Sequence, residues 1–462
     1  MRASHLGGAA FMGATLIATA LGADLGFGPG PYVLLDDALI ARQEGVVRRV
    51  IPPERLPEPV VTGPEDKCFQ PYITVIRDAS TGRFRIWYGV PENTGQSHLA
   101  TMESEDGIHW IRPHQVLADP APIQFGVSIL DEGPAYADPA TRYKFGWWHG
   151  GGLQVAGSPD GLRWTRLGDG VVLPHNHDIN CIYRDAVRDR YIALVSTYTE
   201  GPGWTGSRRI PMQSSSTDLL HWSEPRIIIA PDERDEGETQ YYCMDGLLQR
   251  GELLVGLLRV LRDDLPADEG GPTAGIGYTV LAWTRDGENW ERDREAFLPR
   301  NPEPGSWDHA MAWGGYQLPV GDEVYLYYGG YAQGHKVNRF TERQIGLARM
   351  KRDRYVAREG GSPRGTLATV PRRLDAAAMS LNASIAGEVR VRVLGTDGRA
   401  LPGYGFDECQ PVTGDGVALP VLWTRPLAEL TGRTVAFEFA LRHASLYAFD
   451  LVGTETRGGV DR

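Results

Sequence analysis

Four stretches, SEDGIHW at Ser104–Trp110, SPDGLRW at Ser158–Trp164, STDLLHW at Ser216–Trp222 and TRDGENW at Thr284–Trp290, repeat one pattern. A hydroxyl residue is followed two positions on by Asp and six positions on by Trp, with Gly after the Asp in three of the four. Asp-Gly makes a tight turn, because Gly accepts a positive φ and the carboxylate caps the turn's amides. The Trp then packs back as the next strand begins. A degenerate fifth copy is KRDRY at Lys351–Tyr355.

Working outward, each turn follows a pair of apolar runs. YITVIRD at Tyr72–Asp78 and RFRIWY at Arg83–Tyr88 precede the first turn; DINCIYRD at Asp178–Asp185 and RYIALV at Arg190–Val195 precede the third. Both read as strand, Arg-Asp turn, strand. The second unit holds Val127 to Leu130 and Arg142 to Trp148, the fourth Tyr242 to Leu248 and Leu253 to Leu258, the fifth Met311 to Leu318 and Val324 to Tyr328. Five such units predict an all-β fold, a five-bladed β-propeller over 31–360. A Gly/Pro/Ser/Thr connector spans 361–371. Residues 372–462 then alternate with period two, as in Glu388–Val393 and Thr434–Leu441, predicting a small C-terminal β-sandwich whose role is packing on the propeller, with carbohydrate binding the alternative.

Composition agrees. The 462 residues exceed what one core usually supports, and 57 Gly with 32 Pro, scattered without period, suit many tight turns. A net charge of −12 with no long basic run argues against a nucleic-acid partner. Cys68, Cys181, Cys243 and Cys409 form no CxxC pair, so buried free thiols are expected, with no metal site and no cofactor. Arg2 precedes a small-residue apolar run, Leu6 to Ala23, with a cleavage-like Ala18-Thr19-Ala20; residues 1–30 are read as a signal-like segment and linker, implying a secreted or periplasmic protein, with a cytoplasmic one as the alternative. No other run approaches the length of a membrane span.

In a propeller, chemistry sits on the axis, where the innermost strands begin. Asp131-Glu132 is read as opening the second unit, His175 to Asp178 the third, Glu236 to Tyr242 the fourth, and Trp307-Asp308-His309 the fifth. A core strand has no structural need of a carboxylate at its head, and gathering several near one axis is costly unless they act. The plainer alternative has them capping turns or pairing with Arg208, Arg209 or Arg339. Clustered carboxylates suit glycosidic cleavage: one protonates the leaving oxygen while another, ionised, attacks or activates water. Asp131, His177, Asp308, His309 and Arg339 are the expected substrate-binding residues, and a carbohydrate the expected substrate.

The run from Ser214 to Trp222, Asp178 and Glu238 resemble the five-bladed glycoside hydrolases of families 32, 43 and 68, over roughly 31–360. The resemblance implies that Asp178 stabilises the transition state or tunes the acid, and that Glu238 is the general acid. It departs in the first unit, where those families carry Asp-Pro and this chain has Gln70-Pro71. Asp66 and Asp37 are therefore the candidates for nucleophile or base. Two other readings stay open: a non-catalytic propeller that binds glycan or protein, favoured by Gln70, and a sialidase-like exo-glycosidase, suggested by the Asp-Gly-Trp turns.

Overall fold

The computed structural model describes residues 26–453 apart from 94, 95, 179, 336 and 338–342; the signal-like segment up to residue 25 and Arg339 lie outside the described residues. The chain is almost entirely β. Among the described residues no helix is long and apolar enough to cross a membrane.

Three strands come first, β1 (Gly30–Val33), β2 (Ile40–Glu44) and β3 (Val46–Val50), then the short β4 (Glu54–Arg55). Five antiparallel meanders follow. The first is β5 (Gln70–Arg77), β6 (Phe84–Asn93), β7 (Gln96–Ser104) and β8 (Gln115–Val116). The second is β9 (Phe125–Asp131), β10 (Tyr143–Trp148), β11 (Gly152–Ser158) and β12 (Thr165–Leu167), with β13 (Leu173–Pro174) also on β11. The third is β14 (Asn180–Asp185), β15 (Arg190–Gly201), β16 (Trp204–Ser216) and β17 (Arg226–Ile227). The fourth is β18 (Thr239–Arg250), β19 (Leu253–Arg262), β20 (Ile276–Thr284) and β21 (Glu291–Arg292). The fifth is β22 (Met311–Val320), β23 (Glu323–Tyr331) and β24 (Gln344–Lys351), completed by β4, whose Arg55 pairs with Ala348.

The repeated turns do what their residues dictate. In each of the four, one Asp oxygen accepts the amides two and three residues on, and the hydroxyl residue accepts the third amide after it. The third copy has Leu219 where the others have Gly, and Leu219 takes the same left-handed conformation at φ 68°. The turns also join meanders. The Gly161 carbonyl accepts from Trp87 Nε1 of the first meander at 2.8 Å, and that of Gly287 accepts from Gln213 Nε2 of the third at 2.9 Å. The Gly107 carbonyl of the first meander accepts from the Tyr327 hydroxyl of the fifth at 2.8 Å.

The first strands of the meanders neighbour one another in the cyclic order β5, β9, β14, β18, β22 and back to β5. Hydroxyls link two of these junctions: Ile129 N–H donates to Thr74 Oγ1 at 3.0 Å, and Ile182 N–H to Ser128 Oγ at 2.9 Å. Side-chain oxygens satisfy those amides where adjacent sheets diverge too far for a backbone ladder.

The remaining sheet draws on both ends of the chain. It contains β25 (Val356–Gly360), β26 (Gly365–Thr369), β27 (Arg372–Arg373), β28 (Ala378–Leu394), β29 (Val412–Val421) and the 19-residue β30 (Thr434–Val452). β1 pairs with β30, β2 with β26 and β3 with β25, so these three strands, which the sequence reading placed within the 31–360 span, belong to this sheet. Its core is Phe27, Leu381, Val391, Phe437, Phe439 and Phe449. All four cysteines are free thiols.

Candidate functional site

Polar and aromatic side chains converge where β14 and β18 begin. At the centre is Arg209 on β16, its guanidinium between the rings of Tyr198 and Tyr242, 5.2 and 5.1 Å from their centroids. Its Nε donates to His177 Nε2 at 3.2 Å and its Nη1 to Gln240 Oε1 at 2.8 Å. The same Nη1 lies 3.5 Å from Asp263 Oδ2, in the connection from β19 to β20. Asp263 Oδ1 in turn accepts from His335 Nδ1 at 3.2 Å.

Asp178 approaches the same ring nitrogen of His177, its Oδ1 3.3 Å from Nε2. Since that nitrogen accepts the Arg209 proton, it carries none to give Asp178, and the imidazole is neutral. Burial, then the Arg209 charge, pushes the His177 pKa down to about 3. The carboxylate also acts on two phenols: burial and, next, Asp178 raise both Tyr72 of β5 and Tyr242 of β18. An aromatic wall completes the group. Tyr242 packs on Trp313 at 4.6 Å and edge-on to His335 at 5.4 Å, Trp313 meets Tyr331 at 5.9 Å, and Arg343 covers Tyr331 at 4.6 Å. Two carboxylates, two guanidiniums and flat apolar rings give an arrangement that can orient a sugar and stabilise positive charge developing beside Asp178.

The structure brings Asp178 and His177 of the expected residues into this group. Glu238 stands at the head of β18, exposed, its backbone N–H donating to Asp264 Oδ2 at 3.3 Å. It belongs to the turn that leads into β18, next to Gly237 in the left-handed conformation at φ 51°.

The other expected residues are elsewhere. Asp131 is the last residue of β9, not its first, and so lies at the opposite end of the innermost strands, held by Arg142 through two 2.6 Å bonds. Asp66 is 1% exposed and bidentate to Arg112 at 2.9 and 2.8 Å, an ion pair that anchors the chain before β5. Asp37 pairs with Arg358 at 2.7 Å in the turn after β1, on the sheet shared by the two termini. Asp308 accepts from Asn301 and the Tyr328 hydroxyl, each at 2.8 Å, and braces the wall of the fifth meander. His309 bonds the Asn301 carbonyl at 2.8 Å and Asp268 at 2.9 Å. Among the described residues no group of three or more His, Cys, Asp or Glu is placed to hold a metal ion.

The buried histidines set an acid-side stability window. Burial lowers His175 to about 4 and His177 to about 3, against 6.5 ordinarily. Below 6.5 the unfolded chain therefore binds protons that the folded chain refuses, so stability falls as pH drops towards those values. Urea unfolding at pH 7.5, 6 and 5 is expected to show a loss on the order of 2 kcal/mol per histidine by pH 5. Burial lowers His335 as well, so His177→Gln is expected to remove its own share of the loss, about 2 kcal/mol, and leave the rest; an unchanged free energy from pH 7.5 to 5 would contradict the burial.

No protein-family profile and no curated protein matches the chain. Solved structures do resemble it. The Bombyx mori GH32 β-fructofuranosidase is 11% identical, covering 83% of this chain and 94% of its own, at a TM-score of 0.39. The β-1,2-mannobiose phosphorylase from Listeria innocua is 14% identical over 70% of this chain and 96% of its own, at 0.40. An N-acetylgalactosamine deacetylase from F. plautii is 16% identical over 68% and 97%, at 0.44.

Proposed function

We propose that the chain is a carbohydrate-active enzyme that cleaves a glycosidic bond at the mouth where β14 and β18 begin. The five meanders are the blades of a five-bladed propeller, and the sheet beyond residue 372 is the greater part of a sandwich packed against it. The cyclic contacts of the first strands, the Gly107–Tyr327 bond and the pairing of β4 with β24 support that architecture. The observation that carries the chemistry is Asp178 beside neutral His177, next to an Arg209–Asp263 pair and the Tyr242–Trp313 stack. Asp178 stabilises the oxocarbenium-like charge and Glu238 protonates the leaving oxygen. Asp263 holds Arg209 in place to bind sugar hydroxyls.

A non-catalytic glycan-binding reading has one observation in its favour. The first meander opens with neutral Gln70, and the nearby Asp66 is engaged by Arg112. The purified chain should be assayed for turnover of a panel of aryl glycosides and oligosaccharides, with glycan binding measured in parallel. Turnover of one or more, weakened by Asp263→Asn, supports the enzyme. Binding to a glycan that is never turned over establishes the binder instead.

A further inference from the structure

The axis formed by β5, β9, β14, β18 and β22 is hollow. A cavity of about 300 Å³ lies along it, walled mainly by Ile73, Val127, Ile129, Ile182, Leu247 and Tyr316. Exposure of its lining rises along the strands: Tyr72 and Ser128 are buried at the inner end, whereas Leu130 and Tyr316 are half-buried and Arg77 is exposed. The cavity therefore opens at the face where the innermost strands end, opposite Asp178.

At its inner end lies Asn180, 2% exposed, whose Oδ1 and Nδ2 both lack a hydrogen-bond partner among the described residues. The carboxamide is beside the backbone of Gly126, where a Cβ would come within 3.5 Å of Nδ2 and 3.6 Å of Oδ1. A buried amide with neither atom satisfied is costly and rare in folded proteins. The cavity's deep carboxylate, Asp245, is paired with Arg259 at 2.5 Å and so presents no net charge. Apolar walls, one convergent donor–acceptor group and a neutral interior are the makings of a small-molecule site, and the volume is roughly twice the ~150 Å³ of an apolar cavity that takes benzene.

We propose that this cavity binds a compact, neutral, mainly apolar molecule whose donor–acceptor head pairs with the Asn180 carboxamide, entering from the face opposite the carbohydrate site. The inference is independent of the glycosidase reading.

Benzamide is a suitable probe, since its ring matches the walls and its amide can pair reciprocally with that of Asn180. Calorimetric or ligand-observed NMR titration is expected to give a Kd below about 1 mM. Benzoate, which brings an ion into the cavity, is expected to bind at least tenfold more weakly. Asn180→Leu is expected to weaken benzamide at least tenfold and to strengthen toluene, because the orphan amide is gone. Leu130→Trp at the half-exposed mouth should block both probes, and it decides the matter should Asn180→Leu not fold. Binding should survive Asp178→Asn, which separates this site from the carbohydrate mouth. No benzamide binding at 10 mM, or equal binding by wild type, Asn180→Leu and Leu130→Trp, would overturn the proposal in favour of a cavity holding water alone.

Discussion

Asp178→Asn is expected to lower kcat/KM by about 10²-fold or more, for aryl glycosides with good leaving groups and for natural glycosides alike. Asp178 sits 3.3 Å from a neutral imidazole and acts on the buried phenols of Tyr72 and Tyr242, so its charge is felt in a partly dry setting. There a fixed negative charge stabilises a developing cation far better than in water. Because the positive charge forms whatever the leaving group, the loss should not depend on it. Glu238→Gln makes the contrast. If Glu238 is the acid proposed above, a poor leaving oxygen needs its proton whereas an activated phenolate departs without it, so only the natural substrate should slow strongly. Equal losses on both substrates in Glu238→Gln would reject the acid role, and unchanged rates in Asp178→Asn would move the chemistry to Asp263.

The repeat was legible because its chemistry is local. Ser104, Asp106 and Gly107 bond within four residues, and the same bonds recur at Ser158, Ser216 and Thr284. Strand position was harder to read. Asp131 follows an apolar run as a carboxylate at a strand boundary should, but sequence does not say which boundary, and β9 ends there. Asp308 does precede β22, yet Tyr328 and Asn301 turn it into the wall of its own meander. The members of the site that sequence reading missed share another feature. Arg209 meets Gln240 across 31 positions and Asp263 across 54, and His335 meets Asp263 across 72. Asp263 and His335 come from connections between later strands of their meanders, where no period marks them. The one signal available was Arg209 itself, a cation within an otherwise strand-like run, which the plainer reading had as a carboxylate's partner.

Asp245→Asn is expected to destabilise the fold by about 3–5 kcal/mol. Arg259 is 1% exposed and ties three strands: it is on β19, pairs with Asp245 of β18 at 2.5 Å, and donates through Nε to the Gly314 carbonyl of β22 at 2.8 Å. A guanidinium does not shed its proton at any ordinary pH, so removing the carboxylate leaves a buried cation without its counter-charge. The reverse change is milder. Burial already raises the Asp245 carboxyl, and Arg259→Met leaves a group that can neutralise itself by binding a proton. The two single variants should therefore diverge in urea unfolding at pH 5, Asp245→Asn being the weaker, and converge as pH rises and the lone carboxylate ionises. The double variant Asp245→Leu with Arg259→Met should recover much of the loss, since apolar groups of similar volume replace buried ion pairs at little cost. A loss under about 1 kcal/mol in Asp245→Asn would show that the guanidinium is held by other groups and that the pair does not join β18 to β22.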